Sequence, residues 1–365
     1  MKKFALFLCG FILLLLSILV IPYLFVPEFS KEKREPFQGE FFYNPYQDMD
    51  SVWYIANFHA HSKSWGWLTD GRKNHLDTIY KVYRDLGYTC INISNYNKIT
   101  LKDSVSIPCY EHGVNIFKRH QLCIGARKVK WFDLFFWQKL KHKQHILNQL
   151  KKTADFVVIA HPAFSGGYEP EDFASLYNYD AIEVFNHYRT SITHWDSALS
   201  SGYYAVLLAG DDVHDITNMN ETGVCFTVIN NDITSSKPVI EQLKKGVHYG
   251  VRVAKQPNEN LEIKKMRMAN LVIPKKIDII DNLLNIELNK WVKEIKFIGQ
   301  NGVIKKSFSD TNQAIYLFVP ADTYIRIEVL DYEDNYYIFN PVVKTVQLQV
   351  LNRTEFIDSL FPEDW

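Results

Sequence analysis

Between residues 51 and 254 one unit recurs: a short apolar run ending in polar residues, followed by a stretch with helical character. The runs read VWYIANFHAH (52–61), YTCINISNYN (88–97), FVVIAHP (156–162), YDAIEVFNH (179–187) and YAVLLAGDDVH (204–214). Residues 74–86 and 138–152 carry helical patterns between them. Strands alternating with helices predict an α/β fold with a parallel sheet, open or closed into a barrel. In both arrangements the residues just past the strand C-termini converge on one face, where function collects.

From about residue 256 the texture changes. Strand-like runs such as IDIIDNLLNIEL, VKEIKFIG, AIYLFV and TYIRIEVL follow one another, with a turn signal at Gln300-Asn301-Gly302 and weak helix signals. This predicts a small antiparallel β-domain of sandwich type over 255–365, after an α/β domain over 51–254. At 365 residues the chain is long for one core, which agrees with two domains.

Ahead of both lies a segment that water cannot solvate well. Phe4 to Val26 is 23 residues without a charge, and as a helix it would span about 35 Å, enough to cross a bilayer. The following VIPYLFVPEFS offers no small-x-small cleavage site, so 1–28 is expected to be an uncleaved membrane anchor and 29–50 a stalk. Lys2 and Lys3 favour an N-terminus inside and the bulk of the chain outside the cytoplasm, although Lys31, Lys33 and Arg34 follow the span. Lys+Arg and Asp+Glu are both 41, so no global basic field recruits nucleic acid. Cys90 and Cys225 sit in apolar runs and read as core residues; Cys109 and Cys123 are either reduced or paired with each other.

The chemistry is written at the ends of the runs. The first ends in His59 and His61, whose i, i+2 spacing puts both imidazoles on one face of an extended strand. Asp70 follows nine residues after His61, His161 ends the third run, and Asp212 and His214 repeat the i, i+2 spacing at the last. Glu111 and His120 lie between the second and third runs. Imidazole nitrogens mixed with carboxylate oxygens suit Zn, Mn or Fe, and this many donors suggests more than one ion. Glu183 and Asn186, at the end of another run, read either as groups orienting the ligands or as a buried ion pair or helix cap. Asp211 could replace Asp212 as a donor, but spacing to His214 favours Asp212. His112, His142, His145, His187, His194 and His248 fit no donor position.

The order His-x-His, Asp-Gly, Glu, His, His-Pro, Asp-x-His over 51–254 resembles the polymerase-and-histidinol-phosphatase (PHP) domain family. That resemblance implies a distorted (β/α)7 barrel and a cluster of two or three divalent metal ions held by His59, His61, Asp70, Glu111, His120, His161, Asp212 and His214. It also implies a metal-dependent hydrolase, here a phosphoesterase acting on a small phosphorylated substrate, with Glu111 bridging two ions and Asp212 and His214 orienting the nucleophile. The C-terminal TYIRIEVLDYEDNYYIFNPVV looks like the β-domain end of membrane-associated or secreted PHP proteins, with Tyr324, Arg326, Asn340 and Pro341 as the matching residues. One motif departs from the family. Where Thr-Asp-His-Asn is usual the chain has ISNYN, placing Asn95 and Tyr96 at the Asp and His positions, so one metal ligand is missing unless His75 or Tyr96 replaces it. The alternatives are a barrel that binds without turnover and a hydrolase of carboxyl or carbamate esters.

Two basic features complete the reading. Lys118, Arg119 and Arg127 are phosphate contacts by charge alone, or solvated surface groups. Arg127 to Lys152 holds eight basic residues against the single acid Asp133 and includes WFDLFFW. It reads as a barrel helix with a solvated face and an aromatic lid, or as a segment at a membrane interface.

Overall fold

The computed structural model describes residues 2–31, 34–65, 71, 74–102, 106–230 and 236–346. Among them are six α-helices and sixteen strands, so the protein is richer in sheet than strict strand–helix alternation predicts. The elements in order are α1 (Lys2–Leu24), β1 (Phe41–Tyr43), β2 (Trp53–Asn57), α2 (Leu76–Asp85), β3 (Tyr88–Ile91), β4 (Cys109–His112), β5 (Gln121–Ile124), α3 (Leu140–Lys151), β6 (Phe156–Ile159), β7 (Ala181–Asn186), α4 (Ile192–Ser200) and β8 (Val206–Gly210). Then come β9 (Cys225–Asn230), α5 (Ser236–Lys245), β10 (His248–Arg252), α6 (Leu261–Met268), β11 (Pro274–Ile280), β12 (Leu283–Gly299), β13 (Val303–Leu317), β14 (Tyr324–Leu330), β15 (Tyr336–Phe339) and β16 (Val342–Thr345).

Two sheets result. One has the order β4-β5-β6-β7-β8, and the other the order β1-β16-β14-β15-β10-β9-β2-β3 with β11, β12 and β13 joined on through β12–β14. Parallel pairing is confined to β2–β3, β6–β7 and β7–β8 among the described strands. The sheets therefore do not make a clear (β/α)7 barrel, and the expected all-parallel arrangement is corrected. The cause is local at β4–β5: eight residues, 113–120, link the strands, too few for the helical crossover that parallel neighbours need. Two isolated parallel bridges, Ala60–Val213 and Tyr96–Glu111, connect the sheets beyond the ends of β2, β8 and β3.

The C-terminal strands are antiparallel, as their alternation predicts. The long β12–β13 hairpin turns at Gln300–Gly302, with Asn301 and Gly302 at φ +59° and +70°. They are not a detached sandwich, because β15 pairs with β10 and so extends the sheet that holds β9 and β2. Asn340 fastens the join: its side chain accepts from Leu207 N at 2.8 Å and donates to the carbonyls of Gly246 and His248 at 3.0 Å each. Arg326 fastens a second point. Its guanidinium is buried and forms a two-pronged ion pair with Asp196 of α4, at 2.8 and 2.9 Å.

Helix α1 has no buried residue, and by length and apolarity it fits a membrane span or a signal sequence. The expected stalk is instead bound to the body. Arg34 donates to the carbonyls of Phe173 and Leu176, β1 pairs with β16, and Tyr43 and Tyr46 are buried. All five cysteines are free, which settles Cys109 and Cys123 as unpaired.

Candidate metal centre

His59 and His61 follow β2, and Asp212 follows β8. The Ala60–Val213 bridge holds these two ends side by side, with His61 N donating to Val213 O at 3.0 Å and Asp212 N to His59 O at 2.9 Å. Glu111 lies within β4, placed against the extension of β3 by Asn97 N donating to Glu111 O at 2.7 Å. The result is one buried cluster. Donor atoms of His59, His61, Glu111 and Asp212 all lie within 4.8 Å of one another, as do those of Glu111, His120 and His161.

Glu111 is common to both groups and divides its oxygens between them. Oε2 stands 3.3 Å from His59 Nε2 and 3.0 Å from His61 Nε2, while Asp212 Oδ1 lies 3.2 and 3.1 Å from the same nitrogens. Oε1 stands 2.6 Å from His120 Nδ1 and 3.2 Å from His161 Nε2. His59 Nε2 and Glu111 Oε2 are buried with no hydrogen-bond partner. Leaving such atoms bare is costly, and a divalent cation would satisfy both, so the donor set fits a metal ion, with Glu111 common to the two groups that could hold one.

The surrounding groups orient these donors. Glu183 in β7 accepts from His59 Nδ1 at 2.8 Å, which leaves Nε2 as the lone-pair nitrogen facing the cluster. Its other oxygen accepts from His161 N at 2.9 Å and from Asn186 Nδ2 at 3.1 Å, and Asn186 also reaches Asp212 Oδ2 at 3.3 Å. Gly210 in β8 makes room for this pair, since a Cβ there would fall 2.7 Å from Glu183 Oε1 and 2.8 Å from His59 Cβ. His161 and Asp212 both have positive φ, +28° and +53°, a conformation that costs energy in residues other than glycine and concentrates at functional sites.

That left-handed turn at Asp212 also breaks the i, i+2 expectation. Its carboxylate points at His59 and His61, whereas His214 turns Nδ1 back to the Asp212 carbonyl at 2.8 Å. His214 belongs to neither donor group, although its ring stacks on His61 with centroids 4.5 Å apart and its Nδ1 is 3.7 Å from Asp212 Oδ1. Asp70 lies outside the described residues. His75 is exposed at the start of α2. Asp211 is structural: its carboxylate accepts from the backbone N–H groups of Gly223, Val224 and Cys225 at 2.8 Å each and from Tyr83.

The departure at 95–96 has a structural meaning. Asn95 donates to Ser62 Oγ and Thr100 Oγ1 and accepts from Ser62 N, all at 2.8 Å, so it braces the backbone after His61 with donors that a carboxylate lacks. Tyr96 lays its ring on His61, centroids 4.5 Å apart, and meets His120 edge-on at 5.4 Å. Asn74, which no sequence pattern marks, donates to His61 O at 2.8 Å and accepts from Ile216 N at 3.0 Å. Arg119 is no phosphate contact here, since it is buried against the carbonyls of Gly167 and Phe136.

Charge follows this geometry. Burial works against a proton on His59, His61 and His161, yet the facing carboxylates outweigh it, and all three imidazoles are held above their ordinary pKa. Burial likewise opposes charge on Glu111 and Asp212, but the neighbouring histidines hold both well below the usual carboxylate range. His120 and His214 are shifted down, burial being the largest cause for each.

Compared with family models, curated proteins and solved structures, the chain matches none.

Proposed function

We propose that this protein is a metal-dependent hydrolase of phosphoesters whose centre holds at least two divalent ions, Zn, Mn or Fe. The observation that carries the reading is Glu111, a buried carboxylate with one oxygen directed to each of two donor groups. His59, His61 and Asp212 would hold one ion with Glu111, and His120 and His161 the second. Such ions supply Lewis acidity toward phosphoryl oxygens and acidify a water near neutral pH. The protein's own part is to hold the donors rigidly through Glu183, Asn186 and Asn95. His214 adds a nearby base. With Nδ1–H donated to the Asp212 carbonyl, its Nε2 carries the lone pair, and its lowered pKa keeps it neutral at pH 7.

The fold is compatible with this reading in a finer sense. Taken together with the Ala60–Val213 and Tyr96–Glu111 bridges, strands β2 to β8 read as a seven-strand ring whose two seams lie at the centre itself. A PHP-like barrel, distorted by its antiparallel β4–β5–β6 segment, is the architecture we infer.

Elemental analysis of the purified full chain tests the proposal. About two ions per chain are expected, falling below one in Glu111→Gln, with His59→Ala and Asp212→Ala as partial-loss controls. A phosphoester panel on the reconstituted protein would follow. A chain that takes up no Zn, Mn or Fe on reconstitution would overturn the hydrolase reading.

A further inference from the structure

The aromatic segment after β5 lies where the anchor helix meets the body. Near the end of α1, the Tyr23 hydroxyl accepts from Phe136 N at 2.7 Å, and its ring lies 5.8 Å from Trp137 and 5.1 Å from His142. Tyrosine and tryptophan at the end of a span concentrate at headgroup depth, so these contacts fix the level of the segment relative to a bilayer crossed by α1. At that level the surface is apolar. Trp131 is 62% and Trp137 58% exposed, and beside them Val114 and Ile116 of the β4–β5 link are 53% and 54% exposed.

The segment is not a loose loop that happens to be greasy. Its polar groups are used internally: Asp133 accepts from Val114 N, Asn115 and Leu134 N, while Ile116 N donates to Phe135 O and His112 Nε2 donates to Phe132 O. With its one carboxylate engaged, the outward charge comes from Lys128 and Lys139, both exposed, which suits an anionic surface. Trp131 also leads to the centre. It meets Trp65 edge-on at 6.0 Å, Trp65 Nε1 donates to Tyr96 O at 2.8 Å, and Tyr96 stacks on His61.

We propose that Trp131–Trp137 beds in the headgroup layer beside α1 and so holds the metal centre, to which Trp131 connects through Trp65 and Tyr96, close to the bilayer, and that its substrates are phosphoesters carried on lipids. The substrate half rests on the phosphoesterase reading; the docking half does not. Continuity with the α1 contact, aromatic exposure and flanking lysines all favour a lipid surface over a protein partner.

The test uses the full chain reconstituted into vesicles of phosphatidylcholine and phosphatidylglycerol, with brominated phosphatidylcholine quenching indoles near the headgroups. Trp131→Phe/Trp137→Phe keeps the apolar packing and removes the two reporters. Quenching is expected to fall by about half or more in this double variant; equal quenching in both proteins would overturn docking. A second variant, Trp137→Glu, at a ring that meets Tyr23 and Phe136 and lies outside the Trp131–Trp65–Tyr96 chain to the centre, is assayed on p-nitrophenyl phosphate in solution and on phosphatidic acid in vesicles. A drop of about tenfold or more on vesicles alone supports the substrate half, and an equal effect on both substrates overturns it. If the wild type hydrolyses neither, the phosphoesterase reading falls with the substrate half, while quenching still decides the docking.

Discussion

At the scale of single residues, the cluster would set protons and an arriving cation in competition for the same lone pairs. His59, His61 and His161 carry raised pKa values because carboxylates face them despite burial. An arriving divalent ion must displace those protons, so its affinity should rise with pH across the neutral range, and binding should release protons. Calorimetric titration of Zn or Mn in buffers of different ionisation enthalpy would show it; a heat independent of buffer would refute it. Glu183 acts one step back from the donor atoms. Its bond to His59 Nδ1 fixes which nitrogen faces the cluster, so Glu183→Ala should weaken metal binding by roughly 10–100-fold without removing a ligand. Competition with a chromogenic chelator measures this, and an unchanged affinity would reduce Glu183 to a packing role. The six grouped donors were legible in the sequence because donor residues at or near strand ends are a local pattern. His214 was expected beside them but lies in neither group, because its partner Asp212 leaves the strand in a left-handed turn that spacing cannot reveal. Asn74 was invisible because an asparagine that holds a backbone carbonyl has no signature.

At the scale of elements, composition and period place helices and strands but not their neighbours. Helices expected over 74–86 and 138–152 appear as α2 and α3, and the Gln300-Asn301-Gly302 turn joins β12 to β13. Antiparallel pairing of β4 with β5 and of β5 with β6 was not legible, since apolar runs carry no direction. Nor was the merging of β15 onto β10, which depends on two strands more than eighty residues apart. The Arg326 ion pair is the element-scale device that locks α4 to β14. Asp196 and Glu328 both face the guanidinium, and Tyr324 and Tyr336 donate to those carboxylates. Arg326→Met would leave two buried carboxylates without a counter-charge, and removing one partner of a buried pair costs about 3–5 kcal/mol. Thermal unfolding of the detergent-solubilised chain should register that loss as a lower Tm. A loss under about 1 kcal/mol would mean that the pair is replaceable by apolar packing.

For the whole molecule, the join between the N-terminal α/β portion and the C-terminal strands contains its own acid sensitivity. His248 in β10 is fully buried and donates Nε2–H to Leu207 O of β8 at 2.7 Å, one step from the Asn340 contacts that fasten β15. Burial, offset in part by backbone hydrogen bonds, lowers its pKa from 6.5 to about 4. An unfolded chain protonates this imidazole below about pH 6.5, whereas the folded chain leaves it neutral until about pH 4. The unfolded state therefore binds more protons in that window, and stability falls with pH at up to ~1.4 kcal/mol per unit, on the order of 3 kcal/mol in all. Above pH 6.5 both states are neutral and the contribution is complete and constant. His248→Gln retains an amide N–H for the Leu207 carbonyl and cannot titrate, so its stability should decline less than that of the wild type between pH 7 and 4.5. Urea midpoints of both proteins at the two pH values, with chelator present to remove any contribution from bound metal, measure the difference. Parallel declines would place the acid response elsewhere than at His248; Glu111 and Asp212 do not supply it, because carboxylates held below their ordinary pKa lose their contribution only below about pH 4.5.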